Sequence, residues 1–599
     1  MGTHRRASST EAHTTMQQFD PPRAEVEEAL TACALFASIV GEARDDLLSA
    51  FEGVRIETGE VLIHQGDEAD ALYLIRHGRL RTVVEDDHGN HRTIGTVGKA
   101  EVVGEMALIT DHPRSATVAA MRDTELYRLP AELFLELTQR HPEILRPFAG
   151  VVVERLRNAI TRPPRPTLPA TIVLLPAPGV DVVDFAHQLV ASLTGYDGRV
   201  VVPADAEGRD NPAAWLLDLE NAVDVSVLVA EDEPTAWTRQ CLRHADRVLL
   251  VVDEGRPATR LAVERDEVCA ERLDELPVEL VTRYRDAPHS SSWLVGRQLD
   301  GHHNLRWGST EDLTRLVRRL TGEMTVLVLA GGGARGFAHF GAIRALQQAG
   351  MPIDAVVGTS AGSLVGGVLA RYGEVESWEE QFLQWFDDVR WRRDLTPPAV
   401  ALLTGEQMTE GFREAYGERR IEDLVIDFVA VSTDLTHARP HVHTSGPLWQ
   451  AIRASSAVPG LFPPVAIDGC VLVDGGLVAN LPVSIAADRH PGARIVAIEV
   501  GSSSEFATGM LDGTGIASGW QALRHRGGYG PLLPRVLARL TDLGRDQRID
   551  QADLIIEPDV AEFSLTDTTA SRTIVERGYD AVARAIDAGE LRQLLAGIR

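Results

Sequence analysis

Residues 324–370 read MTVLVLAGGGARGFAHFGAIRALQQAGMPIDAVVGTSAGSLVGGVLA. Two short apolar runs, TVLVLA (325–330), followed by Gly331, and IDAVVG (353–358), ending in Gly358, lead into helix-forming sequence. Short apolar runs bounded by turn signals predict buried strands, and strands alternating with helices predict an α/β layer. The first turn, GGGARG (331–336), fits G-x-G-x-x-G. A dinucleotide-binding fold carries the same pattern, and Asp354 lies 18 residues past Gly336, near where a ribose-binding acid would fall. The second turn decides between the two. Gly358-Thr359-Ser360-Ala361-Gly362 is G-x-S-x-G at a strand-to-helix turn, a nucleophile elbow. Small flanking residues allow a tight turn that pushes the Ser360 hydroxyl above the sheet edge, a feature that dinucleotide binding does not use.

A serine nucleophile needs a base. His490 and His525 are the histidines beyond residue 474; one ends a helical stretch, ADRH, and the other lies in basic, Gly-rich sequence. Neither resembles a catalytic loop at a strand end. The apolar run CVLVD instead ends in Asp474-Gly475-Gly476, and a carboxylate there could take the Ser360 proton directly. A carboxylate is a weak base at its reference pKa of about 4, so the site is expected to be partly closed to water. The backbone N–H groups of Gly331, Gly332 and Gly333, ahead of a helix, form a concave donor set for an oxyanion. Arg335 reads as a brace of that loop or as a partner for a phosphate, with bracing the favoured role.

GGGARG, GTSAG and DGG in this order resemble the patatin-like phospholipase family. The likeness covers roughly 324–580 and extends to AIRASSAVPGLFPPV (451–465), DGGLVANLPV (474–483), ASGWQAL (517–523) and ADLIIEPDVAEFSLTD (552–567). It implies a three-layer α/β/α hydrolase with a Ser–Asp dyad: Ser360 the nucleophile, Asp474 the base, Gly331–Gly333 the oxyanion donors, Gly358 and Gly362 the elbow glycines. His339 and the histidines of THARPHVH, His437, His441 and His443, read as structural or surface residues rather than ligands. No metal site and no catalytic cofactor are expected.

Upstream, residues 31–160 read as a β-rich unit: short alternating runs, as in VLIHQGDEADALYLIRHGRLRTVV, punctuated by Gly59, Gly66 and Gly78 and closed by helical sequence. Gly104-Glu105-Met106 followed by Pro113-Arg114-Ser115 suits a cyclic phosphate. N–H groups after Gly104 face an anion, Arg114 forks onto its oxygens, and Glu105 accepts from a ribose hydroxyl. These residues and GEVLIHQGDEADALYLIRHG (59–78) resemble cyclic nucleotide-binding domains, a jelly-roll β-barrel. Gly104, Glu105, Arg114 and Ser115 are the expected site, for cAMP or cGMP as effector. The competing account pairs Arg114 and Glu105 with each other or with neighbours. TRPPRPTLP (161–169) is a Pro-rich linker. Residues 170–323 read as a middle α/β unit with a parallel sheet; LLPAPGVDVVDF lacks a phosphate-loop Gly-Lys-Ser/Thr, and the adjacent His302 and His303 point different ways.

The whole is thus multidomain: a disordered tail (1–30), barrel (31–160), linker (161–169), middle unit (170–323) and hydrolase (324–599). This order, with WTRQCLRHADRVLLVV, HHNLRW and DLTRLVRRLTG in the middle unit, resembles lysophospholipases of the neuropathy target esterase type. The resemblance implies a serine esterase acting on phospholipid or lysophospholipid, regulated by cyclic nucleotide. The alternative is a cyclic-nucleotide sensor or scaffold whose hydrolase unit is inert.

Composition fits. In 599 residues, 59 basic against 87 acidic side chains give a net charge of −28, which argues against a nucleic-acid partner. Cys33, Cys241, Cys269 and Cys470 lie far apart, with no metal-ligand spacing and no disulfide framework, so a reducing cytoplasm is expected. No signal peptide or spanning segment is apparent; the RRASS of the tail reads as solvated. Membrane contact would be peripheral, with YGPLLPRVLARL (529–540) the candidate patch, although an ordinary amphipathic helix packed on the core is the favoured reading of that stretch. Acyl-chain length, headgroup and oligomeric state are written in no motif.

Overall fold

The computed structural model describes residues 17–85, 91–110, 112–145, 148, 168–209, 211–288, 290–388, 394–397, 400–501, 548–565 and 568–595. RRASS, most of the Pro-rich linker, ASGWQAL, His525 and YGPLLPRVLARL lie outside the described residues.

The N-terminal unit has two antiparallel sheets. Gln17–Phe19, Glu52–Ile56, Thr124–Pro130, Ala71–His77 and Val102–Val103 form one, in that order. Val61–Ile63, Thr117–Ala120, Leu80–Glu85 and His91–Val97 form the other. Tyr73 and Ile75, with Val54 and Leu126, fill one apolar cluster, and Leu72 and Leu74 face another under the helices. That alternation is the period-two pattern of a strand buried on both faces. The expected tail of residues 1–30 is corrected from residue 17 onward. Gln17–Phe19 pairs with Glu52–Ile56, and Arg23–Ala32 is a helix that buries Val26 and Leu30. The charged EVEEA text masks those two apolar residues, which stand four apart on one helix face.

The middle unit is a fully parallel six-stranded sheet: Gly198–Val201, Val225–Val229, Thr171–Pro176, Arg247–Asp253, Val278–Tyr284 and Gly301–Arg306. Its two central strands carry unbroken buried apolar runs, Ile172–Leu175 and Val248–Val252, as strands of a parallel sheet do. Polar contacts join it to both neighbours. Buried Arg122 of the barrel pairs with Glu220 at 2.8 Å, and Asn304 Nδ2 donates to the carbonyls of Glu422 and Leu424 at 3.0 and 2.7 Å. His303 faces Glu279 at 2.6 Å, an ion-pair partner within its own sheet.

In the C-terminal unit seven strands follow the order Val465–Ile467, Cys470–Asp474, Asp427–Asp434, Ala355–Thr359, Thr325–Leu329, Arg494–Ile498 and Leu554–Ile556. Arg439–His443 also pairs with Asp427–Asp434, outside that path. From Asp427–Asp434 to Leu554–Ile556 the pairing is parallel; Cys470–Asp474 runs antiparallel to its neighbour. The strand Thr325–Leu329 is buried along its whole length. Helices Ala338–Gln348, Ala361–Tyr372 and Ser571–Asp587 pack on the sheet through Leu346, Val368 and Ile574, all fully buried. Asp354 does not serve a ribose. It is 2% exposed, takes a two-pronged bond from Arg318 and accepts the Thr325 N–H at 2.9 Å.

Candidate active site

Ser360 stands between the strand Ala355–Thr359 and the helix Ala361–Tyr372, with φ 52° and ψ −121°. A non-glycine residue at positive φ carries strain of roughly 1–3 kcal/mol and persists only where its surroundings enforce it. Its flanks show how. A β-carbon on Gly358 would lie 2.6 Å from the Gly362 carbonyl, and one on Gly362 would lie 2.2 Å from the Leu329 oxygen. The elbow closes only because both positions lack a side chain. Ser363 Oγ donates to the Ser360 carbonyl at 2.7 Å, and the Ser360 N–H donates to Ser455 Oγ at 2.9 Å. Ser455 in turn donates to the Val431 carbonyl at 2.6 Å.

Ser360 Oγ donates to Asp474 Oδ2 at 2.6 Å. Asp474 reaches this point from across the sheet. Its strand registers it against Ser432, and Thr433 Oγ1 donates to its backbone carbonyl at 2.8 Å. Its other carboxylate oxygen accepts the Gly476 N–H at 2.8 Å, an arrangement the Asp-Gly-Gly turn provides. Ser360 is 9% exposed and Asp474 3%. Burial pushes the Asp474 carboxyl up to about 6, against the opposing pull of the Ser360 hydroxyl and the Gly476 N–H. A carboxylate so raised is a stronger base than one in water.

The glycine loop lies beside the pair: a β-carbon on Gly331 would lie 3.2 Å from Ser360 Cβ. The expectation of three donors narrows to two. The Gly331 N–H already donates to the Asn480 carbonyl at 3.0 Å, and Asn480 Nδ2 returns a bond to Gly331 O. Among the described residues the N–H groups of Gly332 and Gly333 have no protein acceptor. Gly333 holds φ 54°, where a β-carbon would strike the Leu565 oxygen at 2.4 Å. Arg335 braces the loop, donating to the carbonyls of Phe563 and Ala561 at 2.7 and 2.9 Å. His339 is buried with Nε2 2.9 Å from the Ala330 oxygen, supporting the strand end from below.

The pair and the loop open on a cavity of about 500 Å³. Its wall is apolar, with Phe337, Leu364, Phe386, Met408, Phe412 and Phe462 prominent. Leu395 and Leu402 line it while remaining exposed, which marks the mouth. Among the described residues no histidine lines the cavity, and Arg335 is its one cation. His490 is buried 3.7 Å from Asp427 instead. His443 faces Ser432 Oγ at 2.8 Å, and His437 faces Asp434 at 2.7 Å, both outside the cavity.

Ser455 and Asn480 were not singled out from sequence. Both lie inside stretches that carry the family resemblance, but nothing in a linear pattern says that one seats the Ser360 amide and the other ties down Gly331. Ser455→Ala leaves a buried N–H unpaired, which costs on the order of 1–3 kcal/mol of stability. The shifted elbow is expected to lower kcat roughly 10- to 100-fold with little change in KM. Thermal melts and ester kinetics check both; a kcat within twofold of wild type would count against the positioning role.

In the N-terminal unit Gly104, at φ 88°, precedes the short helix Glu105–Thr110. Glu105 is 1% exposed and Ser115 faces solvent. Arg114 is committed within the protein. Nη1 donates to the Gly104 carbonyl at 2.9 Å, and Nη2 to Asp70 Oδ1 and the Ala71 carbonyl, both at 2.7 Å.

Residues 327–487 match the family described as patatin-like phospholipase, and residues 53–141 match the cyclic nucleotide-binding domain. The chain is similar to lysophospholipase NTE1 of Coccidioides immitis (strain RS), 29% identical over 637 residues, covering 88% of this chain and 40% of that protein. It is also similar to lysophospholipase NTE1 of Mycosarcoma maydis, 30% identical over 663 residues, covering 93% of this chain and 35% of that protein. The chain therefore spans about two fifths of the length of the curated relatives it matches. Among solved structures, the Catabolite Activator Protein of Thermus thermophilus is 36% identical, covering 21% of this chain and 59% of that one, with a TM-score of 0.20. No described helix is long and apolar enough to cross a membrane.

Proposed function

This chain carries a cyclic nucleotide-binding domain and a patatin-like phospholipase domain, and on that premise we propose that it is a serine esterase hydrolysing fatty-acyl esters of phospholipids or lysophospholipids. The observation that carries the proposal is the 2.6 Å bond from Ser360 Oγ to a buried carboxylate at the floor of an apolar cavity. Asp474 takes the Ser360 proton as Oγ bonds to the ester carbon. The carbonyl electron pair moves onto oxygen, where the Gly332 and Gly333 N–H groups receive it; one such donor is worth roughly 3 kcal/mol of barrier. The ester C–O bond then breaks, and the alcohol leaves with the proton from Asp474. Water, deprotonated by Asp474, attacks the acyl carbon; the bond to Ser360 Oγ then breaks, Oγ takes the proton back from Asp474, and the fatty acid leaves. The apolar wall holds the acyl chain, at about 0.8 kcal/mol for each methylene buried.

The N-terminal domain is the effector module in this proposal. A cyclic phosphate would displace the Asp70 carboxylate from Arg114, exchanging one charged partner for another, while Glu105 faces the ribose and Ser115 borders the phosphate.

One assay tests the whole: fatty-acid release from lysophospholipid vesicles between pH 4 and 9, with and without cAMP or cGMP. The base must be ionised to act. kcat/KM is therefore expected to be flat above about pH 7 and to fall close to tenfold per unit below a midpoint near 6, where Asp474 titrates. A limb near pH 4 would mean an ordinary solvated carboxylate and would count against the buried base. Rates unchanged at saturating nucleotide would remove the effector role and leave the esterase standing.

A further inference from the structure

Two hairpin turns meet above the sheet edge, away from the catalytic pair. The strand Asp427–Asp434 turns at residues 435–438 into Arg439–His443, with Ala438 at φ 53°. The strand Val465–Ile467 turns at Asp468 and Gly469, φ 49° and 78°, into Cys470–Asp474, so that Ile467 pairs with Cys470. A two-residue turn with both residues at positive φ gives the strands a tight, defined end. Ser432 registers with both His441 and Asp474, and Asp434 with both Arg439 and Leu472. With a side-chain period of two, Asp434, His441 and Cys470 therefore share one face of the sheet.

Their donor atoms converge. A carboxylate oxygen of Asp434, a ring nitrogen of His441 and the Cys470 sulfur all lie within 4.8 Å of one another. His437 Nδ1 stands 2.7 Å from Asp434 Oδ2 and 4.0 Å from Cys470 Sγ. The donors of a tetrahedral zinc, bound at about 2.0–2.3 Å, stand roughly 3.3–3.8 Å apart. For Asp434, His441 and Cys470 a closure of at most about 1–1.5 Å thus suffices, and His437, whose side chain is 52% exposed and already 2.7 Å from Asp434, has room to swing in as the fourth donor. The Asp434 carboxylate is wholly buried, yet its charged neighbours are the exposed His437 and the guanidinium of Arg439 at 3.9 Å. A buried anion facing two imidazoles and a thiol is the mixed donor set that suits a borderline-soft divalent ion and not magnesium or calcium.

We propose that Asp434, His437, His441 and Cys470 bind one zinc ion, which clamps the two hairpins together. The proposal departs from the expectation that His437 and His441 are structural or surface residues rather than ligands. Cys470 and Asp474 are the two ends of one strand, so the clamp lies roughly 13 Å along the backbone from the catalytic carboxylate. It holds in place the strand that carries it. The ion takes no part in ester cleavage, and the proposal stands or falls independently of the esterase.

The test uses the full chain, stripped of metal by chelation and titrated with cobalt(II) as a spectroscopic stand-in for zinc. One equivalent is expected to give a thiolate-to-cobalt charge-transfer band in the near ultraviolet, bleached by stoichiometric zinc. Cys470→Ser loses the band. His441→Gln and Asp434→Asn each weaken zinc binding by about tenfold or more, and zinc raises the melting temperature of the native chain but not of Cys470→Ser. Absence of a thiolate band, or a band that survives Cys470→Ser, overturns the site. Should the variant fail to fold, iodoacetamide labelling of Cys470 in the native chain reads the same question. Zinc is expected to slow it about tenfold or more, as metal ligation removes the free thiolate, and equal rates with and without zinc overturn the site.

Discussion

Ser360→Ala is expected to abolish ester hydrolysis, lowering kcat by roughly 10⁶-fold, the scale on which serine hydrolases lose activity without their nucleophile. The substitution deletes one oxygen and nothing else that the fold needs. The Ser360 N–H still reaches Ser455 and its carbonyl still accepts from Ser363. The elbow glycines that force the turn are untouched. What is lost is the bond to Asp474, whose other oxygen keeps the Gly476 N–H. Circular dichroism and melting should therefore stay near wild type while fatty-acid release falls to background. A fluorophosphonate probe should label the native chain at Ser360 and fail on the variant. Turnover retained by Ser360→Ala would end the proposal that this serine is the nucleophile; a native chain that resists the probe would favour the inert-scaffold alternative.

Asp474→Asn is expected to be as inactive for a different reason, and to be more stable than the native chain at neutral pH. Asparagine fills the same space, accepts the Gly476 N–H and can face Ser360, but it takes no proton. The stability effect follows from where the carboxyl titrates. Burial raises its pKa in the folded chain to about 6 from the ordinary 3.8. Between those values the folded chain binds more protons than the unfolded one, so stability declines as pH rises through that window. Above it the ionised, desolvated carboxylate costs on the order of 3 kcal/mol. Asparagine carries no such charge. Its melting temperature is expected to exceed that of the native chain at pH 8, with the difference closing at pH 4. In the proposed mechanism the burial that strengthens Asp474 as a base also makes it a liability to the fold, a trade expected of a working site. Equal melting differences at both pH values would mean that Asp474 is neither desolvated nor raised.

The proposed nucleophile and the proposed base are visible in the sequence to different degrees. Ser360 sits in a pattern, G-x-S-x-G after an apolar run, whose geometry is local. The backbone conformation that exposes it follows from two glycines within two residues on either side. Asp474 is 114 residues away, and its text, Asp-Gly-Gly, is by itself only a turn. Its strand runs against the direction of its neighbour, so the carboxylate descends to the level of Ser360 from above the sheet edge. That pairing is a property of the topology. The same holds for Gly331. In the sequence it is the first of three equivalent glycines, and in the fold its N–H is taken by the Asn480 carbonyl, which arrives from a segment some 150 residues later.

The N-terminal unit shows the same limit from the other side. Gly104, Glu105 and Arg114 are close in sequence and close in space, yet the guanidinium of Arg114 turns toward Asp70, which no local pattern ties to it. Residues 17–32 look like a charged tail because polar side chains outnumber apolar ones. A strand and a helix form there because a sheet edge and an apolar cluster stand ready to receive them.

Taken alone, the amino-acid sequence determined what depends on neighbours along the chain: strand and helix periodicity, the strained elbow, the glycine loop, the alternation that makes the middle sheet parallel. Only the tertiary structure decided which distant groups meet: the carboxylate on the hydroxyl, Asn480 on Gly331, Asp70 on Arg114, and the cysteine of one hairpin on the histidines of another. The physical reason is range. Backbone conformation is set by contacts within a few residues, whereas desolvation, hydrogen bonding and ligation act through space between segments whose separation along the chain carries no information about their distance.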